Sequence, residues 1–427
     1  MGVPWPAAAT FDANGLRVGG LTSSSLAEEF GTPLVVVDED HFRARCREFR
    51  DAFPGVLWAV KAFPLRELIR IALDEGLGVL AATGGELDAC LRAGAPGDRI
   101  VLHGNNKLDH EIAAGVEARV RFVILDNGEK IERVAVAARA GGVTQAVLLR
   151  IAPGVDVETH AYIKTAAPDT KFGTPVTGGQ ALEALRLAIE ASELDVHGIH
   201  LHLGSQLLDG RPYRAGLGAG LDFLAEAKKQ LGFRARTMDV GGGMGITYIE
   251  ENPLPVSELA TQIEADLASG CRERHLEPPA LLVEPGRAIA SGSALTLYRV
   301  GSIKHVPDLR TFVAVDGGMS DNIRPALYGS RYTVKLVSRS SDAEPHTVTI
   351  AGRHCESGDM LARDVALPGD VRRGDLLAFA STGAYEYSMA SNYNKVGRPA
   401  VVAVSEGRPR LIARRETYED LADLDID

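Results

Sequence analysis

Between residues 56 and 290 apolar runs recur, each followed by a segment whose apolar residues return at helical spacing, and this alternation restricts the fold more than any other feature. The runs are VLWAVKAF at 56–63, GVLAAT at 78–83, RIVLHG at 99–104, RFVILDN at 121–127, QAVLLRIAP at 145–153, LDVHGIHLHLGSQ at 194–206, RTMDVGG at 236–242 and PALLVEPGR at 279–287. Amphipathic segments such as LRELIRIALDEG and GEKIERVAVAARAGG separate them. Eight strand–helix units across about 250 residues is what a closed (β/α)8 barrel of the α/β class requires. After residue 288 the texture changes to short β-branched runs with turn residues: TLYRVGSIKHV, TFVAVDGG, HTVTIAGRHC, DLLAFAS and PAVVAVSEGRPRLIARRE. These predict an all-β domain of sandwich or barrel type. Residues 1–33 carry no barrel unit and are expected to join that β domain from the other end of the chain. The expected organisation is therefore a β-domain segment at 1–33, the barrel at 34–290 and the C-terminal β domain at 291–427.

Composition excludes several classes. The 427 residues hold 46 Lys plus Arg against 57 Asp plus Glu, a formal charge of -11, and no basic run could track phosphates, so nucleic acid is not an expected partner. The start, MGVPWPAAAT, has neither a basic nor an apolar leader region, and Pro6 stands where a myristoylation motif wants Ser or Thr. No uninterrupted apolar stretch is long enough to span a bilayer. Cys46, Cys90, Cys271 and Cys355 are far apart without CxxC spacing, which predicts neither a metal site nor a disulfide framework and fits a reducing cytoplasm.

Chemistry in such a barrel sits where strands end. The polar residues out of place in apolar runs cluster there: Lys61, Thr83, His103-Gly104-Asn105, Arg150, His202, Gly204-Ser205-Gln206, Gly241-Gly242-Gly243 and Glu284. Each has an ordinary structural role open to it, since a strand histidine is commonly a satisfied core residue and three glycines can be only a tight turn. The glycines do not fit GxGxxG, because Ile246 occupies the last glycine position, so a dinucleotide fingerprint is rejected. A Gly-rich turn at a helix start nevertheless presents N–H groups to an anion, and Ser205 adds a hydroxyl. Lys61, a phosphate cradle and Glu284 together point to pyridoxal phosphate, whose aldehyde needs a lysine amine and whose ring nitrogen needs a carboxylate to stay protonated. His202 is placed to stack on that ring.

These residues carry a family resemblance that runs nearly end to end. AVKAF at 59–63, TGGEL at 83–87, LHGNNK at 102–107, KFG at 171–173, HLHLGSQ at 200–206, DVGGGMGI at 239–246, VEPGRAI at 283–289, DGGMSDNIRPALYG at 316–329, CESGD at 355–359 and GAYEYSMASNYN at 383–394 resemble the diaminopimelate decarboxylases. These belong to the alanine-racemase-like fold group of pyridoxal phosphate enzymes. Ornithine and arginine decarboxylases share the Lys, Gly-rich and EPGR elements but differ around CESGD and NIRPALYG. The resemblance implies decarboxylation of meso-2,6-diaminopimelate to L-lysine, the last step of lysine biosynthesis, in a cytoplasmic homodimer. It implies that Lys61 binds the cofactor covalently, that His202 stacks on the ring and that Glu284 holds the pyridine nitrogen. Ser205, Gly242, Gly243 and Tyr385 would bind the phosphate. Arg287, at the cofactor, would join Arg324 and Tyr328 in gripping the distal carboxylate of the substrate, with Tyr385 also lining its site. Glu356 would meet the distal ammonium, and Cys355 would return a proton to the α-carbon, both from the partner subunit. A lone cysteine ordinarily packs as a small apolar residue. Its acidic neighbour and the CESGD match set Cys355 apart, whereas Cys46, Cys90 and Cys271 lie in helix-period segments.

One position departs from the family pattern. The strand before TGGEL usually carries an aspartate near the cofactor lysine, and this chain has Leu80 there. A carboxylate beside an amine favours the protonated form, and an apolar neighbour the neutral one. The departure leaves open a paralogue acting on another amino acid, free or tethered to a carrier, and in another class a non-catalytic pyridoxal phosphate-binding regulator.

Overall fold

A computed structural model describes residues 4–154 and 171–426. The chain divides into two compact units, one of residues 45–245 and 253–288, the other of residues 1–44, 246–252 and 289–427.

The first unit is the barrel. Its strands are Leu57–Ala59, Gly78–Ala81, Ile100–Leu102, Phe122–Leu125, Gln145–Ala152, Leu194–His200, Thr237–Asp239 and Ala280–Leu282. They pair in parallel in chain order. A parallel bridge between Val56 and Val283 closes the ring, with Leu57 N donating to Val283 O at 2.9 Å and Val283 N to Gly55 O at 3.0 Å. Leu57 and Ala59, Phe122 and Ile124, and Ala146 and Leu148 alternate along their strands and join Leu80, Val101 and Leu282 in one apolar cluster. A period of two puts them on one face, which is the barrel interior. Full burial of each Leu or Ile there is worth roughly 1.5–3 kcal/mol.

Several strands are shorter than their apolar runs. The run at 56–63 is a strand only to Ala59, then a single helical turn, Val60–Ala62, because Pro64 restricts Phe63 and offers no N–H to continue a ladder. The run at 194–206 is a strand only to His200, so His202 lies beyond it.

The second unit is all-β apart from short helices. Its main sheet runs in the order Met360–Pro368, Pro345–Ala351, Arg310–Val315, Ala294–Val306, Leu34–Asp38, Ala400–Ser405 and Arg408–Ala413. Leu376–Ala380 pairs with Ala294–Val306 on one side and Val334–Leu336 on the other. Trp5, Leu16, Val18, Leu26 and Ala27 from the N-terminal segment are buried with Leu295, Leu297, Val402 and Val404 in its core. The strands Val334–Leu336 and Met360–Pro368 have no counterpart in the sequence analysis.

The boundary expected at residue 33 needs correction. LVVVD at 34–38 falls within the barrel bounds expected at 34–290, though outside the eight barrel runs, and it pairs antiparallel with Ala294–Leu297 and parallel with Ala400–Val404. Every residue of it is buried, so its pattern is that of any strand covered on both faces, and only pairing assigns its sheet. Residues 246–252, flanked on both sides by barrel residues, likewise group with the β unit. No helix among the described residues is long and apolar enough to cross a membrane.

Candidate active site

Lys61 is the exposed residue of a turn whose other members, Val60 and Ala62, are buried. Phe63 N donates to Val60 O at 2.9 Å and closes that turn, so the lysine leaves the apolar run at the point where the strand ends. The next strand leads into TGGEL, where Thr83 caps the helix Gly84–Arg92 by accepting from Glu86 N at 3.2 Å. Glu86 reaches back to accept from Ala82 N at 2.7 Å. Burial pushes its carboxyl above the usual carboxylate range, against the Ala82 N–H and the charge of Lys61. Leu80, by contrast, points into the apolar interior. The carboxylate facing Lys61 is therefore on the helix that follows the strand, a residue the sequence analysis passed over although its T-x-x-E spacing marks it.

Around the mouth the ends of three other strands meet. His103 Nε2 lies 2.7 Å from Glu284 Oε1, and His200 Nε2 lies 3.3 Å from Oε2. The two imidazoles meet edge to face, 4.7 Å between centroids. Burial keeps both neutral, pushing His103 down to about 3 and His200 below its usual value. Burial alone would raise the Glu284 carboxyl, but the two imidazoles hold it well below the usual range. The adjacent Asp239 is raised well above it, by burial and then by Glu284. One negative charge thus sits in this pocket, on Glu284. The donor atoms of His103, His200 and Glu284 lie within 4.8 Å of one another, close enough for a cation, yet the imidazole nitrogens face the carboxylate itself. Sequence reasoning placed His103 among the strand-end polar residues without a role and left His200 out.

Gly241 at φ +72° and Gly243 at φ +98° form the Gly-rich turn. A Cβ on Gly242 would stand 2.2 Å from Glu284 O, and one on Gly243 2.4 Å from Gly204 O. Gly242 N donates to His202 Nδ1 at 3.3 Å, and burial holds His202 well below its usual value, helped by Lys61 and Arg150. The turn does not open a helix as expected. Pro253 and Pro255 delay the next one to Val256–Glu273, and two of the turn's N–H groups are committed, Gly241 N to Asp239 Oδ1 at 2.8 Å and Gly242 N to His202 Nδ1. Ser205 Oγ accepts from Arg287 Nη2 at 2.9 Å, which joins a hydroxyl to a guanidinium. Other matched motifs are structural pins. Gly173 of KFG donates to Asp126, which also holds Arg150 at 3.3 Å, and the buried Lys107 of LHGNNK donates to Gly104 O and Ile124 O.

The β unit holds a second group. Arg324, which opens the short helix Arg324–Tyr328, is buried and donates from Nη1 to Tyr248 Oη at 3.1 Å and Tyr332 Oη at 2.5 Å. Its Nε and Nη2 make no hydrogen bond among the described residues, which leaves one edge of the fork for a carboxylate. Tyr328, four residues on, shares its helix face and is half-buried. Cys355 and Glu356 are exposed, and Cys355 N donates to Asn394 Oδ1 at 3.1 Å. Asp359 of CESGD pins that loop by accepting from Met319 N and His354 N. Tyr385 sits at φ +62°, a strain of roughly 1–3 kcal/mol for a residue with a Cβ. Tyr248 and Tyr332 complete the surroundings of Arg324 and were missed, because nothing in their local sequence marks them.

A family model described as pyridoxal-dependent decarboxylase, pyridoxal binding domain, matches residues 39–291. The diaminopimelate decarboxylase of Mycobacterium bovis is 46% identical, covering 99% of this chain and 97% of its own. The chain belongs to the diaminopimelate decarboxylase family. Its relative in Bacillus subtilis is 41% identical over 96% of this chain and 95% of that one. A crystal structure of the M. jannaschii diaminopimelate decarboxylase in complex with L-lysine superposes with a TM-score of 0.92 at 33% identity, covering 99% of this chain and 98% of that one. Lysine/ornithine decarboxylase from Vibrio vulnificus, at 23% identity and TM-score 0.77, shares the fold.

The barrel residues of this family member fit a pyridoxal phosphate. The Gly241–Gly243 turn is too tight for any side chain, Ser205 and Arg287 form an anion-suited pair, and Glu284 is a buried anion suited to a protonated ring nitrogen. Leu80 bears on Lys61. Leu80→Asp should move the pH at which the absorbance of the Lys61-bound cofactor changes upward, because a carboxylate favours the protonated amine. A superimposable titration would show that position 80, which points into the apolar interior, is electrostatically silent.

Proposed function

We propose that the chain decarboxylates meso-2,6-diaminopimelate to L-lysine and carbon dioxide with pyridoxal phosphate on Lys61, as a cytoplasmic homodimer in lysine biosynthesis. The observation that carries this reading is Glu284, held anionic between His103 and His200 in the barrel that also carries Lys61 and the Gly-rich turn. Bound pyridoxal phosphate supplies the electron sink, and it works only while its ring nitrogen is protonated. Glu284 accepts from that nitrogen and keeps the proton there, and His202 packs on the ring. Ser205, Gly242, Gly243 and Tyr385 hold the phosphate, with Arg287 beside Ser205. Arg287, Arg324 and Tyr328 grip the carboxylate the reaction spares, Tyr385 lines the substrate, and Glu356 meets the ammonium beside that carboxylate. Carbon dioxide leaves the other end, and the Cys355 thiol returns a proton to the carbon it left. Cys355 and Glu356 act in the site of the partner subunit.

The direct test is to incubate the purified protein with meso-diaminopimelate and measure lysine and carbon dioxide; lysine must appear. Equal turnover of ornithine or lysine would overturn the roles of Arg287 and Arg324. Removing one partner of a buried charged contact costs about 2–5 kcal/mol. Arg324→Ala should therefore lower kcat/KM for diaminopimelate by about 30-fold to several thousand-fold while the cofactor stays bound.

A further inference from the structure

Asn394, the last residue of GAYEYSMASNYN, holds its backbone at φ +53°, and Lys395 after it also stands at φ +53°. Residues with a Cβ avoid this left-handed region, asparagine least, so two in succession persist only where their surroundings over-determine them. Ser391 N donates to Ser320 O at 2.8 Å, Asn392 Nδ2 to Val396 O at 3.2 Å, and Lys395 Nζ to Leu421 O at 3.1 Å and Asp425 Oδ2 at 3.2 Å. The turn so held aims the Asn394 amide at the CESGD loop. Its Oδ1 accepts from Cys355 N at 3.1 Å and lies 3.3 Å from His354 Nδ1. An amide oxygen only accepts, so His354 carries a proton on Nδ1, and in the neutral tautomer its Nε2 accepts from Ser320 Oγ at 2.8 Å. His354 is buried, with the Tyr393 ring 5.4 Å from its own between centroids. Asp359 fixes the other end of the loop, and the four residues from Cys355 to Gly358 between these ends are exposed. Asn394 Oδ1 is the one hydrogen-bond partner of Cys355 among the described residues.

We infer that Asn394 is a positioning residue for proton return: its amide oxygen fixes the backbone of Cys355 and thereby the place of the thiol. The inference rests on the reading of Cys355 as the group that returns the proton to the α-carbon. A donor must stand within hydrogen-bond reach of the atom it protonates. The thiol is one rotatable bond from its backbone, so a fixed backbone leaves it three staggered positions and a loose one leaves it none in particular. Glycine at 394 adopts the left-handed backbone freely but has no acceptor, whereas aspartate keeps the acceptor and tolerates that backbone. The two substitutions therefore separate the amide oxygen from the turn that carries it.

Asn394→Gly should lower kcat for meso-diaminopimelate by about 10- to 100-fold with the cofactor absorbance unchanged, the range expected when a reacting group is displaced by about 1 Å. Hydrogen–deuterium exchange of the peptide spanning 354–359, read without substrate, should quicken in Asn394→Gly because the Cys355 N–H loses its acceptor. Asn394→Asp should restore both kcat and the slow exchange. In single turnovers, Asn394→Gly added to Cys355→Ala should lower the rate no further, since a residue that acts through the thiol has nothing left to place. An unmutated kcat or unchanged exchange in Asn394→Gly, a loss that Asn394→Asp leaves in place, or losses that multiply in the double variant overturn the inference. Cys355→Ala alone separates the two readings. If it keeps the unmutated kcat, Cys355 returns no proton and the underlying reading fails; if it is nearly inactive while Asn394→Gly keeps kcat, only the role of Asn394 fails.

Discussion

Lys61→Ala will leave the protein colourless after purification and its decarboxylation at background. Lys61 is the exposed residue on the turn that ends the first barrel strand, while Lys107 is buried and committed to two backbone carbonyls. An amine already held by Gly104 O and Ile124 O, and pushed down to about 8 chiefly by burial, cannot turn to a cofactor without abandoning both. Borohydride treatment of the unmutated enzyme should therefore fix the cofactor on the peptide containing Lys61. An adduct mapped to any other lysine, or none after loading with pyridoxal phosphate, would sink the assignment. The fold should survive the substitution, since the side chain is exposed and the turn is closed by Phe63 N and Val60 O.

Mixing two nearly inactive proteins, Lys61→Ala and Cys355→Ala, will restore activity to roughly a quarter of the unmutated level once subunits exchange. The two residues belong to different compact units, and Cys355 is exposed on a loop pinned by Asp359 and Asn394. In a two-fold dimer that shares its sites, each contact is made twice. Random pairing makes about half of the dimers mixed, and each mixed dimer holds one site with both residues intact and one with neither. If both residues of a site came from one chain, no mixed dimer could contain an intact site. Absence of recovery, with exchange confirmed by tagged chains, would place Cys355 in its own subunit's site or outside the chemistry.

The sequence by itself determined the parts that rest on local pattern. Alternating apolar runs specified the barrel strands in their order, because a parallel strand covered on both faces must be apolar and a crossover helix must be amphipathic. Glycines at 241 and 243 announced a backbone that only glycine adopts easily, and Lys61 stood out because a cation in an apolar run requires a reason. Tertiary structure decided what depends on partners distant in the chain. LVVVD at 34–38 fell inside the expected barrel bounds, and only its pairing with residues 294–297 and 400–404 assigns it to the β unit. Leu80 signalled a lost carboxylate, and only the fold showed Glu86 facing Lys61 in its place. His103 and His200, 97 residues apart, act on one carboxylate of a third strand, and Arg324 meets Tyr248 across 76 residues of chain. Hydrophobic periodicity is a property of neighbours in sequence, so it can specify strands and turns. The charge state of a buried carboxylate is a property of neighbours in space, and those exist only after the chain has folded.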